Sequence, residues 1–282
     1  MLNQLPDSLV SQHILLVGGG KMGSALLHGW RAAGFAADRF SVQEPNPSDD
    51  LHAQIGALNP SLADLKQTPP DIIVLAIKPQ MADKVLPELA PVLQNSTLVI
   101  SLLAGLSINR LSELLGGHGA IIRSMPNTPA AIGKGMTALS AATFTTDQQK
   151  QDATHLMQAV GEAIWLDSEK QMDAVTAVSG SGPAYLFYFI ETMISAGTSL
   201  GLSQELATQL AKQTIIGAAA MLDDADALPA TLRRNVTSPQ GTTEAALDVL
   251  MAETGGLSTL MRQALQAAAQ RSRELSEVAE TN

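Results

Sequence analysis

Six residues narrow what this chain can become. Gly18-Gly19-Gly20-Lys21-Met22-Gly23 stands between a short apolar run, His13 to Val17, and a helical pattern, Ser24 to Ala33, that Gly34 closes. A G-x-G-x-x-G at a strand-to-helix junction has a definite physical reading. Gly18 permits a tight turn, Gly20 lets the backbone approach a pyrophosphate, and Gly23 lets helix and strand pack closely. Backbone N–H groups from Gly19 to Met22 lie at the positive end of a helix dipole, so a phosphate needs no basic patch to be held. A glycine-rich turn without a ligand would carry the same letters; the strand-turn-helix context is what favours a dinucleotide.

The first half continues in the same style. Short β-branched runs alternate with helical patterns, which predicts a mostly parallel sheet of βαβ units. A second strand ends near Glu44, and Ile72 to Ile77 is apolar on both faces, as a central parallel strand must be. Leu98 to Leu102, Ala120 to Met125 and Met136 to Leu139 extend the series, and Thr146 with Gln149 has capping-box spacing. Beyond Trp165 the strand-like runs stop. Helical spacing takes over in Pro183 to Leu200, Ser203 to Leu222, Glu244 to Met251 and Leu257 to Val278. The expected architecture is therefore an α/β Rossmann domain over residues 1–166 followed by an all-α domain over residues 167–282. Helices such as Ile215 to Leu222 are apolar over more than one face, and a domain this small has little interior to receive them. A helical dimer interface follows from that excess.

Composition removes whole classes of function. Seventeen Lys and Arg against twenty-seven Asp and Glu leave a net charge of −10, the wrong sign for gripping a nucleic-acid backbone. Aromatics are 3%, too few for a base-stacking platform. With no cysteine there is no disulfide, thiolate nucleophile or Cys-ligated metal. The five histidines (His13, His28, His52, His118, His155) are scattered without metal or triad spacing, so no metal is expected. The first residues, MLNQLPDSLVSQ, lack a signal-peptide pattern, and the apolar runs are too short to span a bilayer, so the expectation is a cytoplasmic protein with no membrane partner.

A nicotinamide dinucleotide, NADP or NAD, suits the remaining loops. Glu44 follows Gly23 at the spacing of a ribose-binding carboxylate, which would favour NAD; a solvated loop carboxylate in Glu-Pro-Asn-Pro explains it equally well. Loops at the carboxyl ends of later strands should face the same crevice: Ala76-Ile77-Lys78-Pro79, then Ala104-Gly105, then Asn127 in Met-Pro-Asn-Thr-Pro. Ordinary turn chemistry accounts for the same letters.

Two polar, breaker-rich segments interrupt the helical half. Val178 to Tyr185 places glycines and the hydroxyls of Ser179 and Ser181 before a helix whose first turn suits Pro183. Val236 to Thr243 ends in Gly241-Thr242-Thr243, which could seat a carboxylate on free N–H groups at a helix N-terminus, or could cap that helix with a threonine.

Taken together, the glycine loop, Ala76 to Pro79, Met125 to Pro129, Val178 to Tyr185 and Val236 to Thr243 resemble pyrroline-5-carboxylate reductase over nearly the whole chain. The resemblance implies a fold similar to 6-phosphogluconate dehydrogenase-like enzymes: a Rossmann domain, then a helical dimerisation domain, often assembled into larger rings. It implies hydride transfer from NAD(P)H to the C=N bond of 1-pyrroline-5-carboxylate, giving proline. By position it assigns Gly241, Thr242 and Thr243 to the substrate, with the Thr243 hydroxyl at the imine nitrogen, Asp226 at the place of an acidic residue, and Ser181 as a further substrate contact. Lys21 and Gln240 depart from the residues common in the family, and the family's preference for NADPH conflicts with Glu44. A related β-hydroxyacid dehydrogenase would need a Lys with an Asn one turn on; Lys212 has no such Asn. A dinucleotide sensor without turnover is the competing class, and the intact Ser238 to Thr243 segment argues against it.

Overall fold

The computed structural model describes residues 6–52, 54–223 and 228–281. The chain divides into two compact units, residues 1–181 with 268–282, and residues 182–267. The division falls later than the change of sequence character at 166/167: the helix Met172–Val175 contacts the strand Gly135–Ala141, and the end of the last helix meets Gly105 and Asp173.

The first unit is built on an eight-stranded sheet: β1 (Ile14–Val17), β2 (Phe40–Gln43), β3 (Ala57–Leu58), β4 (Ile72–Leu75), β5 (Leu98–Ser101), β6 (Ala120–Met125), β7 (Gly135–Ala141) and β8 (Gly161–Trp165). Their order is β3-β2-β1-β4-β5-β6-β7-β8. Every pairing is parallel except β6 with β7. The antiparallel step is a departure from the parallel series. Residues 126–134 make a compact turn rather than the crossover helix that a parallel return would require. β3 and β8 were not legible as strands in the sequence.

Alternation across the sheet explains why the strands are apolar on both faces. Ile14 and Leu16 of β1 join one core with Trp30, Phe40 and Leu156; Leu15 and Val17 join a second with Ile73, Leu86 and Leu111. Trp30 stacks on Phe40 with centroids 5.9 Å apart, and its indole N–H donates to the Leu156 carbonyl at 2.8 Å. That bond ties the helix Lys21–Ala32 to the helix Asp147–Gln158, which opens on the expected Thr146–Gln149 capping box. The order reverses direction between β1 and β4, the switch point at whose carboxyl edge α/β sheets bind ligands.

The second unit consists of helices Gly182–Ser199, Gln204–Ala220, Pro229–Asn235 and Thr242–Leu250 with the first part of the helix Leu257–Thr281. Ser203 caps its helix by accepting the Leu206 N–H. Among the described hydrophobic residues of this unit only Ala207 and Ala211 are buried, whereas Leu186, Phe187, Tyr188, Leu210 and Ile216 are exposed.

Candidate active site

The glycine loop takes the conformation its sequence requires. Gly18 has φ +105°, and its N–H donates to Gln43 at 2.8 Å. A Cβ there would lie 2.6 Å from the Ala76 carbonyl oxygen, and one at Gly23 would lie 2.1 Å from the Gly18 oxygen. Gly18, Gly23 and Ala76 thus form one close-packed joint between β1, β4 and the following helix. Gly20 differs. A Cβ on it would meet nothing within 4 Å. It is also the N-cap of the helix Lys21–Ala32 and, being glycine, brings no capping side chain. The helix begins three residues earlier than the sequence suggested, because Ser24 is not its cap: the hydroxyl donates back to the Gly19 carbonyl at 2.8 Å. The space beside Gly20, at the start of this helix, has room for a pyrophosphate.

Glu44 comes immediately after β2 and beside the loop. One carboxylate oxygen accepts the Gly19 N–H at 2.8 Å and the other accepts the Asn46 N–H at 3.0 Å. Glu44 is no loose solvated carboxylate. Sequence reasoning missed its partner Asn59, whose side chain both accepts the Glu44 N–H (2.8 Å) and donates to the Glu44 carbonyl (3.0 Å). Asn59 has φ +49°, and the Asn-Pro dipeptide there was the available signal.

The other strand-end loops are placed as follows. Ala76 packs on the glycine joint, and Lys78 precedes a 3₁₀ turn with Pro79 at its start. Ile77 is half-buried and Lys78 exposed. Ala104 is half-buried beside buried Gly105, which has φ +84°; a Cβ on Gly105 would come 3.3 Å from the Leu275 backbone, so this glycine seats the last helix. Asn127 accepts the Met136 N–H on Oδ1 (2.8 Å) and donates from Nδ2 to the Ser179 carbonyl (3.0 Å).

Val178 to Tyr185, breaker-rich as it is, does not interrupt the helical structure. Residues Thr176–Gly180 form a π turn, closed by the Ser181 N–H donating to Thr176 at 2.9 Å, and the helix Gly182–Ser199 follows directly. In the second unit, Gly241 caps the helix Thr242–Leu250 in an extended conformation with no side-chain bond, so neither Thr242 nor Thr243 is a cap. Gln240 holds φ +57°, where glycine would be natural, and its N–H donates to the Glu244 carboxylate at 2.7 Å. Asp226 lies outside the described residues. No group of three His, Cys, Asp or Glu residues placed to hold a metal is found among the described residues. A cavity of about 700 Å³ is lined by Ile121, Ser140, Phe144 and Glu169 and shares no residue with the glycine loop, Glu44 or Ala76 to Pro79.

Residues 169–275 match the family described as pyrroline-5-carboxylate reductase dimerisation, and residues 13–105 match one described as NADP oxidoreductase, coenzyme F420-dependent. Pyrroline-5-carboxylate reductase of Pseudomonas aeruginosa is 42% identical over 271 residues, covering 94% of this chain and 97% of that protein. The chain belongs to the pyrroline-5-carboxylate reductase family. A solved pyrroline-5-carboxylate reductase from Coxiella burnetii has a TM-score of 0.85 at 38% identity, over 94% of this chain and 98% of that one. The Plasmodium falciparum pyrroline carboxylate reductase, solved with NADP bound, has a TM-score of 0.81 at 32% identity over 94% and 98%. These reductases match both the nucleotide-binding and the helical part of the chain.

Proposed function

We propose that this chain reduces 1-pyrroline-5-carboxylate to proline with a nicotinamide dinucleotide. The observation that carries the reading is a repeated device: two helix N-termini, at Gly20 and at Gly241, each begin with an extended glycine that brings no capping side chain of its own. Each leaves first-turn N–H groups for an anion, the pyrophosphate of the cofactor at one and the substrate carboxylate at the other.

When bound, the nicotinamide supplies the hydride. The chain's own work is placement. A cyclic imine that carries its proton needs little acid–base help, and holding two reactants in register lowers a barrier by roughly 7–11 kcal/mol. Gly18 to Gly23 hold the pyrophosphate, and Ala76 to Pro79 with Ala104 line the nicotinamide end. Gly241 and Thr242 bind the carboxylate through their N–H groups, the Thr243 hydroxyl accepts the imine N–H, and Asp226 and Ser181 complete the substrate site. The exposed apolar side chains of the helical unit are covered in a homodimer, which assembles further into a ring; burying one Phe or Leu contributes about 1.5–3 kcal/mol. The setting is cytoplasmic, and no described helix is long and apolar enough to cross a membrane.

Both NADP and NAD are accepted, with Glu44 opposing a 2′-phosphate. The test is loss of nicotinamide absorbance on adding pyrroline-5-carboxylate, with NADH and NADPH, for the natural chain and for Glu44→Ser. Turnover in the natural chain, with the kcat/KM ratio shifted toward NADPH by about tenfold in the variant, is expected. No consumption with either cofactor overturns the activity, and an unchanged ratio removes Glu44 from cofactor choice.

A further inference from the structure

We propose that Asn127 is a positioning residue that holds the π turn Thr176–Gly180, by supplying the hydrogen bond that Pro183 cannot. In an uninterrupted helix the Ser179 carbonyl would accept the N–H four residues on. That residue is Pro183, which has none. The orphaned carbonyl instead accepts Asn127 Nδ2 at 3.0 Å, across fifty-two positions of sequence. The orientation of the carboxamide follows from its other end: Oδ1 must face the Met136 N–H at 2.8 Å, which leaves Nδ2 to face Ser179.

The surrounding contacts serve the same turn. The Ser179 hydroxyl donates to the Val175 carbonyl at 3.1 Å, and Thr176 Oγ1 donates to Met172 at 2.9 Å. A Cβ at Gly180 would lie 3.9 Å from Met125 Sδ, so Met-Pro-Asn at the end of β6 backs the turn. One inserted residue rotates everything after it by roughly 100° about the helix axis, so the π turn decides where Ser181 points. This deepens the reductase reading, since Ser181 belongs to its substrate site, and it gives Asn127 a role other than touching the dinucleotide.

The experiment compares Asn127→Ala and Asn127→Asp, each alone and combined with Pro183→Ala. The aspartate keeps the acceptor for Met136 but has no N–H for Ser179, and it stands in if the alanine variant does not fold. Expected for the single variants are faster amide hydrogen exchange over residues 176–181 and a KM for pyrroline-5-carboxylate raised roughly tenfold, equivalent to about 1.4 kcal/mol. Cofactor affinity, read by fluorescence titration, stays within about twofold. Pro183→Ala, which returns a backbone N–H to position 183, restores slow exchange and KM. Unchanged exchange, absence of rescue, or a loss confined to cofactor affinity would overturn the assignment. The exchange and titration arms need no turnover, so they decide the role of Asn127 even if the natural chain fails to reduce the imine.

Discussion

Gly20 and Gly23 look alike in the motif and do different work. A side chain at Gly23 has a carbonyl 2.1 Å away, whereas one at Gly20 enters open space. Gly23→Ala is therefore expected to cost about 2–4 kcal/mol of stability by overpacking a joint that has no room to relax. Gly20→Val is expected to change stability by less than about 0.5 kcal/mol while lowering dinucleotide affinity at least about tenfold, because its branched side chain fills the space for the pyrophosphate. Denaturant melts and cofactor titrations of the two variants separate fold from function; a Gly20→Val protein with natural affinity would contradict the loop's assignment. At this scale the sequence was informative wherever a residue type is nearly obligatory, as at Gly18 and Gly23. It was silent where a common residue has a specific partner. Nothing in the string links Glu44 to the Gly19 N–H, or Asn127 to Ser179, because those bonds depend on which strand ends come together.

At the level of elements, hydrophobic period identified what was long or strongly patterned. Ile72–Leu75 is a central strand with alternating side chains in two cores, as its two-sided apolar character required. The Thr146 cap followed from side-chain chemistry confined to four consecutive residues. The π turn was hidden in what reads as a breaker-rich interruption, because Gly and Ser favour loops on their own, and the contacts from Met125 and Asn127, distant in sequence, counter that preference. The direction of β7 was equally hidden, since an apolar strand reads the same either way. The helix Gly182–Ser199 poses the opposite problem: Phe187 and Tyr188 are 60% and 67% exposed, a load of apolar surface that one chain leaves uncovered. Phe187→Glu is expected to weaken self-association at least about thirtyfold, or ~2 kcal/mol, through a carboxylate left without a partner in the interface. Analytical ultracentrifugation reads this directly, and an unchanged dimer would remove that face from the contact.

For the whole molecule, the sheet order and the two glycine-capped helices make one statement about chemistry. Order β3-β2-β1-β4-β5-β6 places the glycine loop at the switch point, where backbone donors and a helix end converge. The second helix end, at Gly241, likewise begins with an extended glycine, beside threonine hydroxyls that are not spent on capping. The change from a strand-rich to a helical chain was legible as a change of period near Trp165. That residues 268–282 join the first unit depends on packing, such as Ser272 donating to the Asp173 carboxylate at 2.6 Å. Thr243 is the residue whose loss decides the chemistry most directly. Steady-state reduction of pyrroline-5-carboxylate by Thr243→Val, which keeps the shape and removes the hydroxyl, should fall at least about tenfold in kcat/KM, ~1.4 kcal/mol, with cofactor affinity unchanged. Turnover equal to that of the natural chain would place the imine elsewhere and contradict the account.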